Sequence, residues 1–168
     1  GGEDLLIRFL GIVLEVGRQL GEHAIEARER AGVFEAHEQV AREVIVRRGR
    51  LAAVEQARSK VVPHAAGDVL ELGCGGGINM EFYDRARVTS FTGLDPSPEL
   101  LAMSRAAAQA HGIDADIQGG VGEAMPFESG RFDTVVTTFT LCSVAEQSAV
   151  LSEIRRVLKP GGTALFLE

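Results

Sequence analysis

The run Glu71-Leu72-Gly73-Cys74-Gly75-Gly76-Gly77 holds the residues most able to do chemistry in this chain of 168. A carboxylate stands two positions before the first glycine, at the end of the apolar stretch 69–72, so a buried strand delivers the chain into a tight turn. Glycine there adopts backbone angles closed to other residues and lets a ligand touch the main chain where a Cβ would block it. The glycine pattern alone does not choose among nucleotide cofactors, because nicotinamide and flavin sites share it. Glu71 adds a distinguishing feature: its carboxylate can answer the ammonium end of an amino acid, directly or through water. A tight turn with a solvated Glu71 is the plain alternative.

The second group is Gly93-Leu94-Asp95-Pro96-Ser97, with Asp95 placed 24 residues after Glu71. An acidic side chain at the tip of the second strand of such a unit holds ribose hydroxyls. Asp and Ser also begin helices, so helix capping is the competing role for Asp95. A third group runs from Gly120 through Val121, Gly122 and Glu123 to Phe127, followed by Arg131-Phe132-Asp133-Thr134-Val135-Val136. A fourth, Arg156-Val157-Leu158-Lys159-Pro160-Gly161-Gly162, reads as a helix end, a proline stop and a glycine turn with a structural role.

The elements that must position these groups follow from periodicity. Beyond Pro63, strands are expected over 69–72, 89–94, 115–118, 132–141 and 163–167. Helices are expected over 78–86, 98–111 (with Ser97 as cap) and 145–158. Strict alternation of strand and helix implies a doubly wound parallel sheet of about five strands, covered on both faces. Before Pro63 the apolar residues recur at helical spacing. Leu5, Phe9, Ile12, Val16 and Leu20 form one face, and Leu6, Leu10 and Leu14 a second. Two further helices are expected over 34–48 and 50–62, so the chain divides into a helical segment 1–62 and an α/β domain 63–168.

Charge narrows the partners. Residues 1–66 carry ten acidic and ten basic side chains, while the rest carries fourteen acidic against seven basic. The net charge of −7 therefore belongs to the α/β domain. An acidic domain repels phosphate backbones, which argues against nucleic acid as partner. His23, His37, His64 and His111 lack carboxylate or cysteine neighbours at ligand spacing, so no metal site is expected. Cys74 and Cys142 read as reduced thiols of a cytoplasmic protein. Residues 5–16 are too short for a membrane span and are interrupted by Arg8 and Glu15. Packing against the domain or a second copy is expected for this helix, with peripheral membrane contact as the alternative.

Together the four groups resemble class I S-adenosylmethionine-dependent methyltransferases of the small-molecule type related to ubiquinone and menaquinone biosynthesis. The resemblance covers about residues 66–168. Within it, Thr140-Leu141-Cys142-Ser143-Val144 is most similar to the small membrane-associated thiol methyltransferases. The resemblance implies that Glu71, Gly73, Cys74, Gly75 and Gly77 line the methionine part of the cofactor and that Asp95 binds the ribose. It places Pro96, Ser97, Gly122 and Glu123 around the adenine. Thr138 to Ser143, at the end of the fourth strand, would face the methyl group and the acceptor, with Cys142 and Ser143 on the acceptor side. One departure concerns the adenine: the acidic residue usual before the alanine of the third group is replaced here by Val121, so Glu123 or backbone groups must serve. The family usually continues past the fifth strand with a helix and an antiparallel strand pair, so the domain is expected to be truncated at its C-terminus.

Methyl transfer from a sulfonium requires alignment more than covalent help, and no general base stands out, which suits a thiol or another easily ionised small acceptor. No catalytic residue is assigned. Two other readings compete: a non-catalytic cofactor-binding or assembly module, and a dinucleotide-dependent oxidoreductase. The latter would need a longer glycine pattern and a hydride-transfer residue.

Overall fold

The structure, a computed structural model, describes residues 52–168. The helices expected over 5–20 and 34–48, and most of the segment 1–62, lie outside the described residues. A helix α1 over 52–61 agrees with the third of the expected N-terminal helices. It runs into a short 3-10 turn, Val62–His64, whose proline occupies the first turn where the missing N–H costs nothing.

From there the elements follow in the order β1 (Gly67–Leu72), β2 (Val88–Asp95), α2 (Pro98–Ala110), β3 (Ala115–Gly119), β4 (Phe132–Thr138), α3 (Gln147–Val157) and β5 (Leu158–Leu167), with no α-helix between β1 and β2 or between β3 and β4. All neighbouring strands are parallel, in the order β3-β2-β1-β4-β5. The chain builds outward from β1 to β2 and β3, then crosses back to place β4 on the other side of β1. Such a reversal opens a crevice at the carboxyl ends of the strands, where open α/β sheets bind ligands.

Period-two alternation sorts the core into two layers. Val69, Phe91, Val136 and Leu165 face one side, packed with Val61, Tyr83, Leu101 and Ala108. Leu70, Leu94, Val135 and Phe166 face the other, packed with Val150, Ile154 and Val157 of α3. Both faces are covered, as the doubly wound expectation requires.

Three expected elements differ. The helix expected over 78–86 is a 3-10 turn, Ile78–Phe82. Its N-cap Gly77 is left-handed and offers no side-chain cap, and Tyr83 turns extended to put its ring in the core. β4 ends at Thr138 rather than at residue 141, because Phe139 takes φ 54° and a second 3-10 turn, Leu141–Ser143, follows. The Pro160-Gly161-Gly162 turn lies inside β5. The register jumps from Phe132 opposite Leu158 to Thr134 opposite Thr163, so the extra residues form a bulge, with Gly161 at φ 80°.

At the amino ends of the strands, Lys159 Nζ lies 2.8 Å from both Asp68 and Asp133. That clamp ties β1, β4 and β5 together on the side away from the crevice. On the flank of α3, Arg156 donates to the carbonyls of Phe127 (2.6 Å) and Met125 (3.0 Å), and Glu153 accepts the Met125 N–H at 2.8 Å. The long connection into β4 is thereby held to α3, which bears out the structural role expected of this region.

Candidate functional site

The glycines after β1 serve three different ends. Gly73 turns the chain at φ 68°, and a Cβ there would overlap the Thr140 side chain. Gly77, at φ 80°, lies so close to α2 that a Cβ would come within 2.7 Å of Ala107 Cβ. Gly75 differs. At φ 51°, its Cβ position meets nothing among the described residues beyond its chain neighbours nearer than the Gly73 carbonyl at 3.9 Å. Packing explains the first two glycines, while the open side of Gly75 leaves room for a ligand against the backbone. Cys74 packs its sulfur beside Gly93 and belongs to the core, so only its backbone can reach the crevice. Burial pushes its thiol up to about 12.

Asp95, the last residue of β2, faces this loop. Its Oδ2 accepts the Gly75 N–H at 2.9 Å and its Oδ1 accepts the Ser97 N–H at 2.9 Å. The helix cap of α2 is Ser97, whose hydroxyl accepts the Leu100 N–H at 3.3 Å. Capping therefore falls to Ser97, while Asp95 braces the glycine turn. Each carboxylate oxygen retains a lone pair, so two vicinal hydroxyls can still be accepted. Pro96 is exposed beside it.

Glu71 lies deeper than a solvated turn residue. Its carboxylate is buried and accepts from Asn79 Nδ2 (2.7 Å) and Tyr83 Oη (2.9 Å). Asn79 also donates to Thr138 Oγ1 at 3.0 Å. Arg58 of α1 completes the cluster through Nη1, which donates to Asn79 Oδ1 and, at 2.8 Å, to Thr138 Oγ1. Both oxygens of Glu71 are thus occupied by side chains, and Asn79 links it to Thr138 and Arg58.

Burial raises the Glu71 carboxyl from the ordinary 4.5 to about 7, against the hydrogen bonds from Tyr83 and Asn79 and the positive charge of Arg58. An acid whose folded value is raised favours folding most below its ordinary value, and that contribution is lost as pH rises through about 7. The shift corresponds to about 3 kcal/mol. Urea unfolding at pH 4.5, 5.5 and 7 should show Glu71→Gln losing much less stability than the wild type across this window. Equal losses in the two proteins would contradict the assignment.

The loop after β4 closes the other side of the crevice. Thr140 Oγ1 donates to the Leu72 carbonyl at 3.3 Å. Glu168 Oε1 accepts the N–H groups of Thr140 and Leu141, each at 3.1 Å. Cys142 and Ser143 are exposed on this loop, and Ser143 Oγ donates to the Thr140 carbonyl at 2.8 Å. Gly122 is wedged between β1 and α3, its Cβ position 3.2 Å from both Leu72 and Val150. Glu123 accepts the N–H groups of Ala145 (3.0 Å) and Glu146 (3.4 Å) ahead of α3. Val121 is exposed. The structure therefore brings the glycine turn, Asp95 and Thr138 to one set of strand ends, with Cys142 and Ser143 on the adjoining loop. Gly122 and Glu123 are engaged in packing and capping.

Sequence reasoning missed Arg58, Asn79, Tyr83 and Glu168. For Asn79 and Tyr83 a signal existed: two polar-tipped residues four apart amid apolar Met80 and Phe82, facing a carboxylate that a buried strand carries inward.

A sheet that reverses direction at β1, a glycine turn and a carboxylate at the next strand tip define a Rossmann-like domain with a ligand crevice at the carboxyl ends of its strands. Residues 70–166 match the family described as methyltransferase domain, and the chain belongs to that family. It is 40% identical over 104 residues to the thiol S-methyltransferase TMT1B of Homo sapiens, an alignment covering 60% of this chain and 41% of that protein. It is 34% identical over 122 residues to the demethylmenaquinone methyltransferase of Thermus thermophilus, covering 72% of this chain and 54% of that protein. The chain thus spans about half the length of these curated relatives. Among solved structures, the PH0226 protein of Pyrococcus horikoshii superposes with a TM-score of 0.58 at 27% identity, over 71% of this chain and 53% of that one.

Proposed function

We propose that this domain binds S-adenosylmethionine and transfers its methyl group to a small acceptor, with a thiol as the favoured class. The carrying observation is the pairing of Asp95 with the open backbone at Gly75, joined by a 2.9 Å hydrogen bond. This pairing fits the cofactor. Asp95 would hold the ribose hydroxyls, the main chain from Gly73 to Gly77 would run beside the methionine portion, and the loop after β4 would border the acceptor. When bound, the cofactor supplies a methyl group already activated by its sulfonium charge.

The chain's own contribution is orientation. The hydrogen bonds that fix Thr138, Thr140 and Leu141 hold the loop after β4 in one place, so an acceptor resting on it approaches along a set line. A thiol is a few per cent ionised at neutral pH and intrinsically nucleophilic, so it can attack without a dedicated base. With the cofactor bound, the thiol would give its proton to solvent and its sulfur would take the methyl carbon, leaving the cofactor as S-adenosylhomocysteine. Support for a thiol comes from the name of the relative at 40% identity and from the stretch 140–144. A small acceptor also accords with the acidic charge of the domain.

Among the described residues, no helix is long and apolar enough to cross a membrane. A cytoplasmic setting, with the helix expected over 5–20 touching a membrane surface or a second copy, remains our proposal for the whole chain. The test is turnover of the full chain with a thiol, a phenol and an amine as acceptors, alongside calorimetric binding of S-adenosylhomocysteine and NAD. Formation of the methyl thioether together with S-adenosylhomocysteine is expected with the thiol, with no NAD binding. Tight S-adenosylhomocysteine binding without turnover of any acceptor would favour the non-catalytic module instead.

A further inference from the structure

Arg58 lies outside the segment 70–166 that defines the family match, yet its guanidinium reaches the crevice. Among the described residues its donations leave from one nitrogen only: Nη1 serves Asn79 Oδ1 and Thr138 Oγ1. Both acceptors are neutral, and no carboxylate among the described residues forms an ion pair with this arginine. Its carbon Cζ lies 5.2 Å from the centroid of the Phe139 ring, which fixes the plane of the group from one side. A planar fork held by one nitrogen, with Nε and Nη2 unused by the described residues, is arranged to receive a second planar partner.

The sheet indicates what that partner is. Asp95 ends β2, Leu72 ends β1 and Thr138 ends β4, and these strands are adjacent in that order. Two strand spacings, about 10 Å, therefore separate the ribose-binding carboxylate from the Arg58 anchor. The glycine turn lies between them. A cofactor with its ribose on Asp95 and its sulfur beside Gly75 extends its amino-acid end towards β4.

We propose that Arg58 is a cofactor-binding residue, its guanidinium receiving the α-carboxylate of the methionine end of S-adenosylmethionine. This rests on the cofactor reading given above. Glu71 then has a distinct part: it holds the Asn79 amide, whose Oδ1 in turn holds the arginine. The helix α1 becomes part of the binding site rather than an attachment to it.

Two ligands separate the roles: S-adenosylhomocysteine, which carries the carboxylate, and 5′-methylthioadenosine, which has the same adenosyl thioether without the amino acid. Calorimetry on the full chain should show Arg58→Met losing about ten- to a hundredfold in S-adenosylhomocysteine affinity, with 5′-methylthioadenosine affinity changed less than about threefold. Arg58→Lys, which keeps the charge but not the fork, should fall between. Melting curves confirm that each variant is folded, and Arg58→Lys carries the test if Arg58→Met is not. Equal losses for both ligands would mean that Arg58 only shapes the pocket, and no loss for either would remove it from the site. Both results overturn the inference while leaving the cofactor reading standing. Failure of the unmodified chain to bind either ligand would overturn the cofactor reading itself.

Discussion

Gly75→Val abolishes S-adenosylhomocysteine binding, a loss of more than about a hundredfold, while leaving most of the protein folded. The open side of Gly75 is what distinguishes it from its neighbours: among the described residues, its own chain neighbours aside, the nearest atom to its Cβ position is the Gly73 carbonyl oxygen at 3.9 Å. A branched side chain there meets no wall from the described residues, so the space it fills is the space a ligand needs. The backbone cost is separate. At φ 51° a β-branched residue is strained by about 1–3 kcal/mol, which lowers the melting temperature without unfolding a stable domain. Gly75→Asn is the control, since asparagine tolerates the left-handed region but still carries a Cβ. It should lose affinity with a smaller drop in melting temperature. Calorimetry showing unchanged affinity in Gly75→Val would end the assignment of this loop to the cofactor.

Asp95→Ala weakens S-adenosylhomocysteine binding by about ten- to several-hundredfold, because hydrogen bonds to a charged acceptor are worth about 1.5–3 kcal/mol each and 1.4 kcal/mol is a factor of ten. The structure adds a second effect. The same carboxylate accepts the N–H groups of Gly75 and Ser97, so its removal also leaves those donors unpaired and loosens the turn. Melting temperature and affinity should therefore fall together in Asp95→Ala. Asp95→Asn keeps one oxygen as an acceptor and spares part of the stability, yet it cannot accept from both hydroxyls. Its melting temperature should recover more than its affinity. A destabilised Asp95→Ala with intact affinity would reduce the residue to a brace for the glycine turn.

Much of this architecture is legible before any coordinates. The strands over 69–72, 89–94 and 115–118 are short segments between turn residues, with apolar or β-branched side chains at their inward positions, and each lies within the corresponding observed strand. The glycine turn and Asp95 are legible for a related reason: they sit where strands end, and the chain order fixes that. Other parts depend on contacts between distant segments. Arg58 looks like one of many arginines on an amphipathic helix, and its role depends on α1 packing beside the ends of β1 and β4. The strand β5 begins before a proline and two glycines that ordinarily end an element. It continues only because Asp133 and Phe132 of β4 accommodate a bulge there. The turn Ile78–Phe82 was read as a full helix because its residues allow one, but Tyr83 leaves the helical path to reach Glu71. In each case a tertiary partner decides against the local preference.

The contrast between the chain's two cysteines makes the domain its own chemical clock. Cys142 is exposed and Cys74 is buried, with its thiol pushed up to about 12. Only the thiolate reacts with alkylating reagents, so at neutral pH a folded molecule presents one sulfur for modification. The second is uncovered when the core around β1 and β2 opens. Counting alkylated sulfurs over time then follows that opening, and a cofactor that closes the glycine turn over Cys74 would slow the second count without touching the first.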